Sequence, residues 1–176
     1  MLRLMLLRHA KTERLKNGQH DRERRLTKRG RADATNVARY MISYCLVPGQ
    51  VIVSPARRTQ ETWALLAKTF SGGPNVVTDE RVYEASADVL FDVIAKAQEA
   101  PSLLIVGHNP SLHDLAVQLI RSGNAAAREQ LSENLPTSGL VVIDLQLERW
   151  SQLQPHPQAG PLERFVTPRF IAAARH

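Results

Sequence analysis

The sequence predicts an α/β fold, a mostly parallel, doubly wound sheet held between two helical layers in an α/β/α sandwich. Three observations carry that prediction. Short apolar runs alternate with segments of helical period along most of the chain. One run, Leu103-Leu104-Ile105-Val106, is apolar at every position, as a strand buried on both faces must be. Two of the runs end in basic residues, Arg8-His9 and His108, at the carboxyl edge where α/β sheets bind ligands.

Leu2 to Leu7 reads as a buried strand, and Lys11 to Arg25 as a polar stretch too charged for the core. Thr27 is placed to cap a helix whose Ala34, Val37, Ala38, Met41 and Ile42 recur at helical spacing. Pro48-Gly49 turns the chain into a strand at Val51 to Val53. Ser54-Pro55 leads into a second helix, packed through Trp63, Leu65 and Leu66 and reaching Phe70. Gly72-Gly73-Pro74 ends it ahead of a short strand, Val76 to Thr78. Ser86 or Asp88 is the expected cap of a helix running to about Ala97. Pro101-Ser102 precedes the strand Leu103 to Val106. Asn109-Pro110-Ser111 then opens a helix through Leu112, Leu115, Ala116, Leu119 and Ile120. Leu140 to Leu147 predicts a late strand, and the alternation around Asp144, Gln146 and Glu148 predicts an edge position with one wet face. Pro155, Pro157, Pro161 and Pro168 predict a tail that wraps the surface without a regular element. No repeat or composition break divides the chain, so residues 1–176 are expected to form a single domain.

A chain of 176 residues suffices for one sizeable core, and 43% hydrophobic with 23% charged residues is ordinary for a soluble globular protein. Its apolar runs fall short of the roughly 20 residues a bilayer-spanning helix needs. The N-terminal run is cut by Arg8, and no small-residue cleavage site follows. A cytoplasmic protein without a membrane partner is expected. The lone cysteine, Cys45, excludes an intramolecular disulfide and is expected as a buried, inert thiol on its apolar helical stretch. The net charge of +6 suits acidic substrates, and it also suits nucleic acid. The densest basic run is Arg22, Arg24, Arg25, Lys28, Arg29 and Arg31, interleaved with Asp21, Glu23 and Asp33. It holds no aromatic to stack on bases, so a solvated loop and helix start is expected there and no nucleic-acid surface.

A phosphoryl group presents three oxygens and needs several converging donors. Arginine suits it, because the planar guanidinium holds two oxygens at once and keeps its charge. Arg8 would bring such a donor to a strand end, and His9 beside it is a candidate nucleophile. Attack on phosphorus requires a neutral imidazole with one nitrogen free. The other nitrogen is therefore expected to donate to a backbone carbonyl, and positive neighbours would lower the pKa. His108 follows a second buried strand and could reach the same pocket, where Asn109 and the start of the next helix would add donors. His113 is expected to turn away from His108 on the helix, and His20, His156 and His176 lie in loop or tail contexts. No His-Glu-x-x-His and no close Cys/His cluster appears, so no metal is expected. Gly72-Gly73 leads into a proline and a strand, so no nucleotide loop and no cofactor are expected either.

The ordered set of Leu7-Arg8-His9-Ala10, then Ser54-Pro55-Ala56 with Arg58 and Thr62, then Gly107-His108-Asn109-Pro110, resembles the histidine phosphatase superfamily. Asp21, Arg24, Leu26, Thr27 and Gly30 match its small SixA-like phosphohistidine phosphatases, and the matches run from Leu2 to about Leu145. The resemblance implies the phosphoglycerate-mutase-like form of the fold, with the site above the carboxyl edge of the sheet. It also implies a cofactor-independent phosphatase working through a phosphohistidine intermediate, with Arg8, His9, Arg58 and His108 as catalytic residues. The same four, with Asn109, would bind the phosphoryl group. The family's phosphate-binding arginine lies four residues after the motif serine, which selects Arg58 and leaves Arg57 at the surface.

Larger members supply a carboxylic general acid from a segment after the third strand. Among Glu80, Glu84 and Asp88, none stands in a copy of that motif, and Glu84, after Tyr83, is the candidate. Phosphohistidine expels imidazole, a better leaving group than an alkoxide, and needs less acid assistance. The missing motif therefore favours phosphohistidine on a protein as substrate. A small phosphomonoester on the same residues is the first alternative, and a non-catalytic module binding phosphorylated protein is the second. Arg24 has two readings, a contact to an acidic or phosphorylated partner and an ion pair with Asp21.

Overall fold

Consecutive apolar residues make the central strands, and their alternation decides which helical layer each side chain meets. The computed structural model describes residues 1–155 and 160–174. The strands are β1 (Leu2–Arg8), β2 (Gln50–Val53), β3 (Asn75–Thr78), β4 (Ser102–Gly107), β5 (Ser122–Gly123), β6 (Leu140–Leu145) and β7 (Pro161–Val166). The helices are α1 (Lys28–Ser43), α2 (Arg57–Ala67), α3 (Ala87–Ala95), α4 (Ser111–Leu119), α5 (Ala125–Glu133) and α6 (Pro168–Ala173). The strands join in one sheet in the order β3-β2-β4-β1-β6-β7-β5. β6 runs antiparallel to both of its neighbours, and the other strands share one direction.

Period-two alternation sorts the core into two faces. Leu4, Leu6, Leu103, Ile105, Val141 and Ile143 pack with Leu90 and Ile94 of α3 and with Leu112, Leu115 and Leu119 of α4. Met5, Leu7, Leu104, Val106, Leu140 and Val142 pack with Val37 and Met41 of α1, Trp63 and Leu66 of α2, and Ile171 of α6. The expected three layers are present. Side-chain caps set four helix starts: Thr27 Oγ1 accepts from Gly30 N, Ser86 from Val89 N, Asn124 from Ala127 N, and Thr167 from Phe170 N.

The register brings the site together. Arg8 pairs with Gly107 across β1 and β4, and Val53 pairs with Val106 across β2 and β4. These three strands therefore end flush. His9 N donates to Gly107 O (3.1 Å) and Ser54 N to Val106 O (3.0 Å), so His9, His108 and Ser54 stand together just past the sheet.

Three expectations are corrected. β6 is an inner strand, buried at all six positions, because the tail adds β7 along its other side. Asp144, read as facing water, is buried and meets Arg3 through two bonds of 2.7 and 2.8 Å. Its charge is paired, which is what burying it requires. The tail itself is regular. Pro161 is the first residue of β7 and Pro168 opens α6, positions where a missing N–H costs nothing. Cys45 is exposed and lies past the end of α1 with φ 55°, so its thiol is not a core group. β5 and α5 add to the elements expected from sequence. His156, Pro157 and His176 lie outside the described residues. Among the described residues, no helix is long and apolar enough to cross a membrane.

Candidate active site

The N-terminal strand delivers Arg8 and His9 to the sheet edge, β4 delivers His108, and the first turn of α2 delivers Arg58. His9, Arg58 and His108 are each only 7% exposed, which puts three polar groups in a water-poor floor. The two imidazole centroids lie 5.4 Å apart.

The hydrogen bonds of His9 fix its chemistry. Its Nδ1 lies 2.8 Å from the carbonyl oxygen of Ala10. A carbonyl only accepts, so Nδ1 carries the proton and Nε2 keeps its lone pair. Ala10 is held in turn by Thr62 Oγ1, which accepts from Ala10 N at 3.0 Å and donates to Arg58 O at 2.7 Å. Ser138 N donates to the carbonyls of Arg8 and His9, both at 3.1 Å. Burial drives the pKa of His9 down to about 3, against the Ala10 bond and with help from His108, Arg58 and Arg8. The imidazole is therefore neutral at physiological pH.

His108 is neutral for a similar reason: burial first, then the charge of Arg58, lower it to about 4. Its Nε2 lies 2.7 Å from Ser54 Oγ. If the hydroxyl donates to Nε2, then Nδ1 carries the proton, a donor with no protein partner. Six buried side-chain polar atoms lack a partner among the described residues, and five belong to this edge: Arg8 Nε, Arg58 Nε, His108 Nδ1, Asn109 Oδ1 and Ser138 Oγ. Such atoms are costly without a ligand, and their clustering marks a place built for one.

The two arginines differ in attachment. Arg8 donates from Nη1 to Leu135 O at 3.0 Å, and the charge of Arg58 and its own burial lower its pKa, burial being the larger cause. Asn109 turns its amide nitrogen to the same Leu135 oxygen at 2.8 Å, bracing the 135–139 segment beside Arg8. Arg58 donates to Asp21 O (2.9 Å) and to Asp21 Oδ2 (3.0 Å). Arg57 lies outside, paired with Glu61 at 2.9 Å one helical turn away. Arg24 takes the ion-pair reading: it meets Asp21 Oδ1 at 3.2 Å and also bonds Thr12 Oγ1 and Glu13 O. His113 donates from or accepts at no part of this edge; its Nε2 meets Leu131 O and ties α4 to α5.

Glu84 is not drawn into the cluster. It is exposed on the turn before α3, its backbone at φ 54°, and among the described residues it makes no hydrogen bond or ion pair. Asp21 and Tyr83 stand there instead. The Tyr83 hydroxyl donates to Asp21 Oδ2 at 2.8 Å, and its ring stands edge-on to His108 at 5.6 Å. Arg22 and Arg58 lie 5.0 and 6.0 Å from the Tyr83 ring centre. Desolvation pushes the Asp21 carboxyl up, but the bonds from Tyr83 and Arg24 and the charge of Arg58 outweigh it and hold it at about 2. Sequence reasoning named Asp21 only as a motif match and a partner for Arg24, and gave Tyr83 no role. The available signal was a carboxylate heading a run of arginines, but its partner lies 62 positions away.

A neutral imidazole with a free lone pair, flanked by two guanidiniums and a second imidazole, can attack a tetrahedral anion and hold the charge that develops on it. Among the described residues, no three His, Cys, Asp or Glu side chains are grouped to hold a metal ion.

The model of the histidine phosphatase superfamily (branch 1) matches residues 4–101 of the chain. The uncharacterized protein Rv1276c of Mycobacterium tuberculosis is 31% identical over 166 residues, spanning 93% of this chain and all of that protein. A candidate phosphohistidine phosphatase SixA from Agrobacterium tumefaciens superposes with a TM-score of 0.80. It shares 28% identity over 95% of this chain and 98% of its own. A candidate SixA from Nakamurella multipartitia gives 0.79 at 23% identity, over 95% of this chain and 96% of that one, a likeness of fold.

Proposed function

The chain belongs to the histidine phosphatase superfamily, and from that premise we propose that it hydrolyses phosphohistidine on a protein through a phosphorylated His9. The observation that carries the reading is the His9 hydrogen bond: Nδ1–H is spent on Ala10 O, so Nε2 is the free nucleophile. In the first step Nε2 forms a bond to phosphorus while the bond to the substrate nitrogen breaks and its electron pair returns to the substrate ring. In the second, water attacks the phosphorus of phospho-His9, the P–Nε2 bond breaks with its electron pair returning to the neutral imidazole, and the water's protons leave with the phosphate.

Arg8, Arg58 and His108 Nδ1–H are the donors for the three phosphoryl oxygens, in a pocket dry enough to make each contact count. Among the described residues, the carboxyl in the hydrogen-bonded cluster is Asp21, held ionised with a pKa of about 2, so it has no proton to hand over, which supports a leaving group that departs without one. The likeness to the Agrobacterium tumefaciens protein supports the same substrate class.

The test is a side-by-side assay of a phosphohistidine peptide, 4-nitrophenyl phosphate and a sugar phosphate. The phosphohistidine peptide should have the highest kcat/KM, and brief reaction quenched in base should trap acid-labile phosphate on the wild type but not on His9→Ala. A sugar phosphate hydrolysed fastest would move the enzyme to small phosphomonoesters. If that activity also collapsed in Glu84→Gln, Glu84 would be the general acid.

A further inference from the structure

We infer that Asp21 reads the leaving group, accepting a hydrogen bond from the distal ring nitrogen of the substrate phosphohistidine and so selecting the form that departs as neutral imidazole. The inference rests on the phosphohistidine reading above and assigns a residue to its specificity.

Placement comes first. Phosphoryl transfer needs the attacking and leaving atoms roughly in line. His9 sits in the buried floor at 7% exposure, so the leaving group must face the mouth. Asp21 is there: its side chain is 41% exposed while that of Arg58, which it contacts, is 8% exposed. The carboxylate thus lies on the solvent side of the guanidinium, with Tyr83 between it and His108.

Capacity comes next. A carboxylate has about four lone-pair sites. Oδ2 accepts from Arg58 and Tyr83, and Oδ1 accepts from Arg24. One site on Oδ1 remains. Those three contacts also fix the carboxylate in place, so little ordering is left to a ligand.

The chemistry then follows. When the distal nitrogen of phosphohistidine carries a proton, the P–N electron pair returns to the ring, the product is neutral imidazole, and no proton moves. When that nitrogen is bare, the ring must leave as an imidazolide anion. A carboxylate accepting from the distal N–H favours the protonated, reactive form. It offers nothing to a nitrophenolate or a sugar alkoxide, whose developing negative charge it repels. Asp21 would therefore favour phosphohistidine and disfavour phosphate esters at one stroke.

The experiment compares kcat/KM on a phosphohistidine peptide and on 4-nitrophenyl phosphate for the wild type, Asp21→Asn, Asp21→Glu and Arg8→Lys. Asp21 also anchors Arg58, so both rates should fall in Asp21→Asn. The ratio is the readout: it should shift toward the ester by about tenfold or more, the scale of a charge-assisted hydrogen bond. Asp21→Glu, which keeps the charge one methylene away, should hold a ratio nearer the wild type. Arg8→Lys disturbs the phosphoryl contact shared by both substrates without touching Asp21 and should lower both with the ratio kept. Equal losses on both substrates in Asp21→Asn would reduce Asp21 to an anchor for Arg58 and end the inference, while the phosphohistidine reading stood. A wild type inert toward phosphohistidine would end both.

Discussion

The nucleophilic role proposed for His9 rests on what surrounds it: burial strips its proton, and the Ala10 carbonyl decides which nitrogen keeps the lone pair. No other group at the edge combines a free lone pair with that position, so His9→Ala should lower turnover on the order of 1,000-fold or more. Because the side chain holds only Ala10 O, the urea midpoint at pH 7.5 should stay close to the wild type; a variant keeping most of its rate would remove His9 as nucleophile. The neighbouring arginines make a sharper pair. Arg58→Ala removes a charge from the proposed phosphoryl site and should cost on the order of 100-fold in rate. Arg57→Ala removes only an exposed pair with Glu61 and should change stability by no more than about 0.5 kcal/mol, with activity retained. Equal rate losses would put the wrong arginine in the site. The positions of Arg8, His9 and His108 were legible because each lies at a strand end in a short motif, whereas Arg58 was singled out from Arg57 only by the family resemblance. The pairing of Asp21 with Tyr83 was not legible, since it exists only once a loop after β1 meets the segment after β3. Asn109 was legible as a neighbour of the site, whereas its grip on Leu135 needed the fold.

At the scale of elements, the start of α1 shows how a helix positions the strand end that carries the proposed nucleophile. Thr27 caps Gly30, and Thr27 N donates to Lys11 O at 2.9 Å, so the helix packs onto the segment just after His9 and Ala10. A Cβ on Gly30 would run into the Lys11 carbonyl oxygen and lie 2.9 Å from Lys11 N. The obstacle is backbone, which cannot rotate away. Gly30→Ala should therefore destabilise by about 1–3 kcal/mol, although alanine is favoured in a helix by about 1 kcal/mol. Activity should fall too, as Lys11 is pushed and Ala10 with it. A urea midpoint at or above that of the wild type would show that the contact is not tight. Elements within one stretch of sequence were legible: Leu103–Val106 through its unbroken apolar run, α1 through its spacing and its threonine cap. In the far half of the sheet the Leu140 run was legible as a strand, but its inner position was not. Asp144 looks like a wet-face residue until Arg3, 141 positions earlier, is known to meet it. The prolines of the tail look like interruptions until Pro161 and Pro168 prove to be first residues of their elements.

For the whole molecule, the buried site is a stability cost that depends on pH. His9 and His108 are held near 3 and 4, against about 6.5 in an unfolded chain. Between those values the unfolded chain binds protons that the folded protein refuses, so stability rises with pH there. The contribution is whole above about pH 6.5 and is lost as the pH falls toward 4 for His108 and toward 3 for His9. Asp21 acts in a lower window: its depressed carboxyl stabilises the fold above about pH 4 and gives that up as the pH falls toward 2. Loss of stability between pH 6.5 and 4 should thus come chiefly from the two histidines, at roughly 1.4 kcal/mol per pH unit for each. Urea titrations from pH 7.5 to 4.5 should show the wild type weakening steeply, and a His9→Ala, His108→Ala double variant weakening far less. A bound oxyanion should oppose the loss, because it binds only the folded site and repays its unpartnered donors. Vanadate at 100 times its Kd should add about 2.7 kcal/mol. It should also compete with substrate for Arg8, Arg58 and His108. A double variant with the same pH slope as the wild type would mean that these imidazoles are solvated and charge freely. The neutral nucleophile on which the mechanism rests would then be gone.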